Sequence, residues 1–149
     1  MEKFNKWNNT LNYSLYDNLI LSKVPKNNTS YDFDILHNEY KIDIIIDLST
    51  QNESYEFADS VVYYNFNFEK KILPCQKKID KIIDILNSNK DKKILIHCHY
   101  GFNRTGFIFI NYLCNNGFNL NDAIDKFKNI RGKGVKYPEL ILYLKNKFE

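Results

Sequence analysis

Short apolar runs alternate with amphipathic segments along most of this chain. The apolar runs, rich in isoleucine and leucine, predict strands at 19–21, 42–47, 61–66 and 94–97. The amphipathic segments predict helices at 31–40, from Pro74 to about residue 88, and at 104–116, 120–130 and 138–147. Because strands and helices alternate, the pattern predicts an α/β fold with a central, mostly parallel sheet flanked by helices.

Individual residues support several of the predicted helix limits. The helix opened by Pro74 carries four apolar positions on one face: Ile79, Ile82, Ile83 and Leu86. Gly117 suits the position just after a helix end. Either Asn119 or Asn121 suits the N-cap of the helix that follows, so two consecutive helices are predicted with a short connection between them.

The predicted strand at 94–97 leads into the segment with the most distinctive chemistry, residues 97–106. Five residues separate Cys98 from Arg104, so one loop can place a sulfur at its base and a guanidinium at its rim. A cysteine attacks phosphorus as the thiolate, and three features stabilise that anion: a helix N-terminus, the charge of Arg104 and inward-facing backbone amides. The amides belong to His99, Tyr100, Gly101, Phe102, Asn103 and Arg104. The segment therefore predicts a cysteine-dependent phosphatase.

The other residues of this loop have roles that their chemistry suggests. Gly101 suits a backbone conformation closed to residues with a side chain, and Gly106 allows close packing of the first helical turn. The Thr105 hydroxyl is expected near the sulfur, where it could help the phospho-cysteine leave. His97 is expected to fix the loop by hydrogen bonds from its ring, and Asn103 to brace it through its side-chain amide.

A simpler interpretation is that Cys98 only packs in the core, since a buried cysteine usually behaves as a small apolar residue. The spacing between Cys98 and Arg104 also occurs often by chance. Here it coincides with the flanking histidine, glycines and threonine, and with a strand before it and a helix after it. That combination favours the catalytic interpretation.

The string His-Cys-x-x-Gly-x-x-Arg-Thr-Gly at 97–106 resembles the signature of the protein tyrosine and dual-specificity phosphatase superfamily. Its second half, 101–106, is similar to metal-independent RNA 5′-triphosphatases, namely the triphosphatase domain of animal mRNA capping enzymes and the related baculovirus phosphatase. Further segments are similar in the same order: Trp7, 44–49, 72–74, 123–127 and 131–132. The resemblance implies the cysteine-phosphatase fold, with a phosphate-binding loop between the central strand and a helix.

The resemblance also implies roles for individual residues. Cys98 would be the nucleophile, Arg104 the phosphate clamp, and Asp47 a supporting residue at the end of the neighbouring strand. Protein phosphatases of this superfamily place an aspartic general acid on a mobile loop before the helix at about 75–88. Here the stretch 67–74 has no aspartate, so Glu69 is the candidate substitute, or else a solvated loop residue. A phosphoanhydride leaving group needs little protonation, which favours a triphosphate substrate.

Length and composition narrow the setting. We expect one phosphatase domain, 1–149, long enough for a normal core. No apolar run resembles a signal peptide or the ~20 residues of a membrane span. The three cysteines, Cys75, Cys98 and Cys114, are odd in number and widely spaced, which argues against a disulfide framework. We therefore expect an intracellular monomer, cytoplasmic or nuclear, with no membrane partner.

Three functions compete at this point. The first is an RNA 5′-triphosphatase or polynucleotide 5′-phosphatase that uses no metal or other cofactor and has a separate guanylyltransferase as its partner. The alternative is a dual-specificity or tyrosine phosphatase acting on phosphoproteins, and the third is a phosphate-binding module without activity. The net charge of +3 is too small to indicate nucleic-acid binding. Lys70, Lys71 and the basic turn 131–136 could contact a second phosphate or an RNA backbone, but solvated charge is the preferred interpretation.

Overall fold

A mostly parallel sheet organises the fold. The computed structural model describes residues 11–26, 30–50 and 55–149. Within these ranges the strands are β1 Ser14–Tyr16, β2 Leu19–Ser22, β3 Ile44–Asp47, β4 Val62–Asn65 and β5 Ile94–His97. Their order across the sheet is β1-β2-β5-β3-β4, and only the β1–β2 pair is antiparallel. The strand that precedes Cys98 is therefore central.

Helices cover both faces of this sheet. The helical elements are α1 Ser30–Phe33, which continues as a π-helix over Asp34–Glu39, then α2 Gln76–Ser88, α3 Asn103–Asn115, α4 Leu120–Arg131 and α5 Pro138–Phe148. Successive strand residues point to opposite faces. Ile94 and Ile96 pack with residues of α2 to α5, whereas Leu95 packs with the π-helical segment on the other face. The predicted α/β class is confirmed.

The carboxyl ends of β2, β3 and β5 meet at one edge of the sheet. Ser22 and Asp47 are the register partners of His97 on either side. In parallel sheets, ligands bind at this edge. The register therefore brings the segment that follows His97 next to Asp47, although 50 positions separate the two residues in the chain.

The structure corrects several predicted elements. β1 was not predicted, because Ser14–Tyr16 is a three-residue edge strand with one exposed and two half-buried residues. The predicted helix at 31–40 is mostly a π-helix. Pro74 does not open α2, which begins at Gln76 with Cys75 as its N-cap. Trp7 lies outside the described residues.

Other predicted limits are confirmed. β5 covers 94–97 as predicted. Asn119 is the N-cap of α4, and its side-chain oxygen accepts a hydrogen bond of 2.9 Å from the Asp122 amide. Gly117 follows the end of α3 with φ of +104°. Pro138 is the first residue of α5.

Candidate active site

Cys98 lies at the base of a loop between the central strand and a helix. β5 ends at His97 and α3 begins at Asn103, so only five residues make the connection. Cys98 is 2% exposed. The amide of Gly101 donates to its Sγ at 3.3 Å, and the Thr105 hydroxyl donates to it at 3.1 Å. Two donors directed at one sulfur stabilise a thiolate, and the expected proximity of Thr105 to the sulfur is confirmed.

Arg104 stands in the first turn of α3 and is nearly buried, with 6% of its surface exposed. Its Nη1 donates to the carbonyl oxygen of Phe68 at 2.9 Å. Phe68 is itself fixed, because its amide donates to Leu48 O at 3.0 Å. The guanidinium is thus anchored to the segment after β4, the same segment that carries Glu69.

Two glycines let the loop pack against its surroundings. Gly101 has φ of +84°, and a Cβ there would lie 2.6 Å from the carbonyl carbon and oxygen of Ser22. A Cβ on Gly106 would lie 2.5 Å from the ring of Phe127 on α4. Both distances are shorter than a methyl group tolerates. The roles predicted for these glycines are confirmed.

Arg131 is a second buried arginine at the loop, and the sequence analysis missed it by treating 131–136 as one solvated turn. Arg131 is 8% exposed. Its Nε donates to Gly101 O at 3.1 Å and its Nη1 to Ser14 Oγ at 3.1 Å. The guanidinium carbon lies 4.9 Å from the Phe102 ring centroid. Burial lowers the pKa of Arg131 to about 10, against an opposing effect of Cys98.

A sequence signal for Arg131 did exist. The buried residues of α4 are Leu120, Ala123, Phe127 and Arg131. Their spacing of three, four and four is that of one helix face. An arginine that continues the apolar face of a helix is expected to be buried and hydrogen-bonded. The basic residues after Arg131 lie beyond the end of α4, so this expectation does not apply to them.

His97 is fully buried and held from three sides. Its Nδ1 lies 3.3 Å from Cys98 O and 3.7 Å from Asp47 Oδ1, and its Nε2 lies 2.7 Å from the Tyr55 hydroxyl. Because a carbonyl oxygen only accepts, Nδ1 carries the proton and Nε2 accepts from Tyr55. Burial lowers the pKa of His97, although Asp47 opposes the change. Burial raises the pKa of Tyr55, so the pair is neutral.

Asp47 is 2% exposed and satisfied by neighbours that the sequence did not indicate. Oδ1 accepts from the amide and the hydroxyl of Ser49, at 2.9 and 2.6 Å, and Oδ2 accepts from the Tyr63 hydroxyl. Burial and the hydrogen bond to Asp47 raise the pKa of Tyr63. The Asp47 carboxylate is thus held by Ser49 and Tyr63 and lies 3.7 Å from His97 Nδ1; its supporting role at the site stays a prediction.

The other predicted residues are placed as follows. Asn103 Oδ1 accepts from the Lys136 amide at 2.6 Å, so it braces the turn after α4 rather than the loop itself. Glu69 is exposed. His99 packs edge-on against Tyr100, with 4.4 Å between ring centroids. Cys75 is exposed and Cys114 is half-buried. In the ranges that the structure describes, no three His, Cys, Asp or Glu residues are grouped to hold a metal.

Comparison with known proteins assigns the chain to a family. The family model described as "Dual specificity phosphatase, catalytic domain" matches residues 26–148. The chain belongs to the dual-specificity phosphatase family. It is therefore a phosphatase of the protein tyrosine and dual-specificity superfamily, and so a hydrolase.

Two curated relatives of this dual-specificity phosphatase have different names. The mRNA-capping enzyme of Caenorhabditis elegans is 30% identical over 112 residues, which are 68% of this chain and 18% of the relative. A tyrosine-protein phosphatase of Autographa californica nuclear polyhedrosis virus is 27% identical over 104 residues, 64% of this chain and 62% of the relative. The chain thus spans about a fifth of the first relative and less than two thirds of the second.

A solved structure confirms the fold of this dual-specificity phosphatase. Human tyrosine phosphatase-like serine/threonine/tyrosine-interacting protein superposes with a TM-score of 0.77 at 15% identity, covering 90% of this chain and 93% of that one. In the part of the chain that the structure describes, no helix has the length and apolar character that crossing a membrane requires.

Proposed function

We propose that this phosphatase removes the terminal phosphate from RNA 5′-triphosphate ends through a phospho-cysteine on Cys98, without a metal ion. The observation that carries the chemistry is the pair of donors on Cys98 Sγ, from the Gly101 amide and the Thr105 hydroxyl, at 3.3 and 3.1 Å. Both donors can stabilise a thiolate at the floor of a loop whose amides and Arg104 can donate hydrogen bonds to a phosphate dianion.

The first half-reaction transfers the terminal phosphoryl group to sulfur. Sγ of Cys98 attacks the γ-phosphorus, the S–P bond forms and the bond to the bridging oxygen breaks, so the diphosphate RNA end leaves with the electron pair. Arg104 faces the transferred group with a planar fork that matches two of its oxygens. The Phe68 carbonyl keeps that fork in position.

The second half-reaction returns the enzyme to its starting state. Water attacks the phosphorus, the S–P bond breaks and the sulfur leaves as thiolate, while the proton lost by water goes to the released phosphate or to solvent. The Thr105 hydroxyl, already directed at Sγ, stabilises the leaving thiolate. The sum is one water consumed and one phosphate released for each triphosphate end.

Two features support an RNA end as the substrate. The first is the similarity to the mRNA-capping enzyme of Caenorhabditis elegans, with 30% sequence identity over 112 residues. The second is the segment 67–74, which has no aspartate and whose Glu69 is exposed. Diphosphate is a good leaving group and departs without a strong general acid, whereas an alkoxide or phenoxide needs one. A role in capping would require a separate guanylyltransferase as partner.

A second candidate is a dual-specificity protein phosphatase acting on phosphotyrosine or phosphoserine with the same Cys98 and Arg104. It is supported by the similarity to the viral protein named as a tyrosine-protein phosphatase. The two candidates share every atom of the loop. They differ in the leaving group and in what the surface around the loop must contact.

The deciding experiment measures phosphate release in EDTA from γ-labelled triphosphate RNA and, separately, from a phosphotyrosine peptide. Cys98→Ser is the blank, and Cys114→Ser, on the half-buried cysteine of α3, is the matched control. We expect kcat/KM to favour RNA, with activity lost only in Cys98→Ser and with labelled protein, trapped by rapid denaturation at neutral to alkaline pH, found only when Cys98 is present. A preference for the peptide would overturn the RNA assignment, and full activity in Cys98→Ser would overturn the covalent mechanism.

A further inference from the structure

Three lysine–aromatic pairs border the phosphate loop. Lys70 Nζ lies 5.9 Å from the ring centroid of Tyr100, Lys71 Nζ lies 6.0 Å from that of Tyr137, and Lys133 Nζ lies 5.4 Å from that of Phe102. Two of the rings belong to the loop itself. The lysines come from the segment after β4 and the turn after α4. We call these three pairs the rim.

Tyr100 is the most exposed member of the loop. Its relative exposure is 63%, although it stands only two residues after a nucleophile that is 2% exposed. The His99 ring packs edge-on against it at a centroid distance of 4.4 Å. One neighbour thus fixes the ring's orientation while most of its surface stays open beside the entrance to the sulfur.

The rim lysines are not paired with a carboxylate of the described residues. Across 11–26, 30–50 and 55–149, Lys70, Lys71 and Lys133 make no salt bridge. Cations held over aromatic faces beside an anion-binding loop suit a ligand with both phosphates and planar rings. A phosphopeptide brings one phosphate to the loop, whereas an RNA end continues past it with one charge and one base per nucleotide.

We propose that Tyr100 stacks on the first base of an RNA 5′ end while Lys70 contacts the phosphate chain, so that the rim selects single-stranded polynucleotide ends. This inference rests on the proposed function of the loop and adds a nucleotide-recognition site to it. A base can stack on an aromatic ring whatever its identity, because every base has a π-face. The site would therefore select single-stranded polynucleotide ends without being selective for sequence.

The test compares substrates that share the reacting phosphate and differ beyond it. They are inorganic tripolyphosphate, a 5′-triphosphate oligoribonucleotide, the same oligonucleotide with an abasic first residue, and a phosphotyrosine peptide. The variants are Tyr100→Ala, Tyr100→Phe and Lys70→Ala. Leu142→Ala and Lys145→Ala are matched controls, because Leu142 is 56% exposed and Lys145 lies in the last turn of α5.

For Tyr100→Ala we expect the ratio of KM for the intact oligonucleotide to KM for tripolyphosphate to rise about 5- to 150-fold. Tyr100→Phe keeps an aromatic ring and should keep this ratio at its wild-type value. On the abasic oligonucleotide, Tyr100→Ala should have no further effect. The plot of log kcat/KM against log salt concentration has a negative slope, and Lys70→Ala should make that slope less negative by about 0.7. The control variants should match wild type.

Two results would overturn the inference while leaving the proposed function intact. One is a wild-type enzyme that hydrolyses triphosphate RNA equally well with and without the first base. The other is a Tyr100→Ala variant that is weakened on the phosphotyrosine peptide and unchanged on RNA, since the ring would then bind peptide. If wild type hydrolyses only the peptide, the proposed function itself fails, and that outcome is recognised without any Tyr100 variant.

Discussion

Gly101 offers the sharpest test of how the phosphate loop is held. Its φ is +84°, and a Cβ would lie 2.6 Å from the Ser22 carbonyl and from Arg131 Nη2. Gly132, just after α4, has nearly the same φ, +86°, but no described heavy atom lies within 4 Å of its Cβ position. The substitutions Gly101→Ala and Gly132→Ala therefore impose the same backbone strain and differ only in the contact.

The expected costs follow from this difference. Alanine in the left-handed region costs about 1–2 kcal/mol, so Gly132→Ala should lower the free energy of unfolding by about that amount. Overpacking against fixed backbone adds about 1–3 kcal/mol. Gly101→Ala should therefore cost about 2–5 kcal/mol. The added methyl also pushes the loop from Arg131 and misdirects the Gly101 amide away from Sγ, so phosphatase turnover should fall with it.

Urea unfolding of both variants and wild type measures these costs, provided that the m-values agree. Turnover of a small aryl phosphate, measured well below the unfolding transition, reports the loop separately from stability. Equal losses of stability in the two variants, with normal turnover in Gly101→Ala, would refute the contact argument. A similar fall in the turnover of both variants would show that backbone strain, and not the contact at Gly101, causes the loss.

Three further predictions concern single side chains. Arg104→Lys should lower kcat on the order of 10²–10³-fold, because one ammonium cannot reproduce the fork or its bond to Phe68 O; near-normal steady-state rates would contradict this. Glu69→Gln should lower kcat on triphosphate RNA less than about tenfold, and a loss of about 100-fold would make Glu69 the general acid. Burial lowers the pKa of His97. Below about pH 6.5, His97 is therefore protonated in the unfolded chain but stays neutral in the folded one. Stability should be full above that pH and decline below it, and His97→Gln should flatten the decline measured by urea unfolding between about pH 5 and pH 7.5.

The central part of the fold could be predicted because its signals are local. β5 is a run of apolar residues between polar ones, and the helix after it is bounded by a glycine. β1 could not be predicted in this way, because Ser14–Tyr16 is a strand by virtue of its pairing with β2. The π-helix at Asp34–Glu39 could not be predicted either, since six residues are too few to distinguish its wider period from that of an α-helix.

The loop residues could be predicted because they are close together in the sequence, whereas the side chains that contact the residues around the loop could not. Cys98, Arg104 and Thr105 lie within eight consecutive positions, so their spacing alone implies a common site. Tyr63 reaches Asp47 through the pairing of β4 with β3, and Tyr55, which precedes β4, reaches His97 across 42 positions of the chain. Such contacts depend on which strands are neighbours, and a single sequence does not state that order.

The bond between Arg131 and the Gly101 carbonyl also has a consequence for biosynthesis. Ribosomes add about 5–20 residues per second, and Arg131 comes 30 residues after Gly101, so about 2–6 s of synthesis separate them. Throughout that interval the nascent chain has its nucleophile but lacks the guanidinium that fixes the loop, and it lacks the Lys136 amide that binds Asn103. The phosphate loop therefore cannot make these two contacts until the residues beyond α3 have emerged from the ribosome and packed.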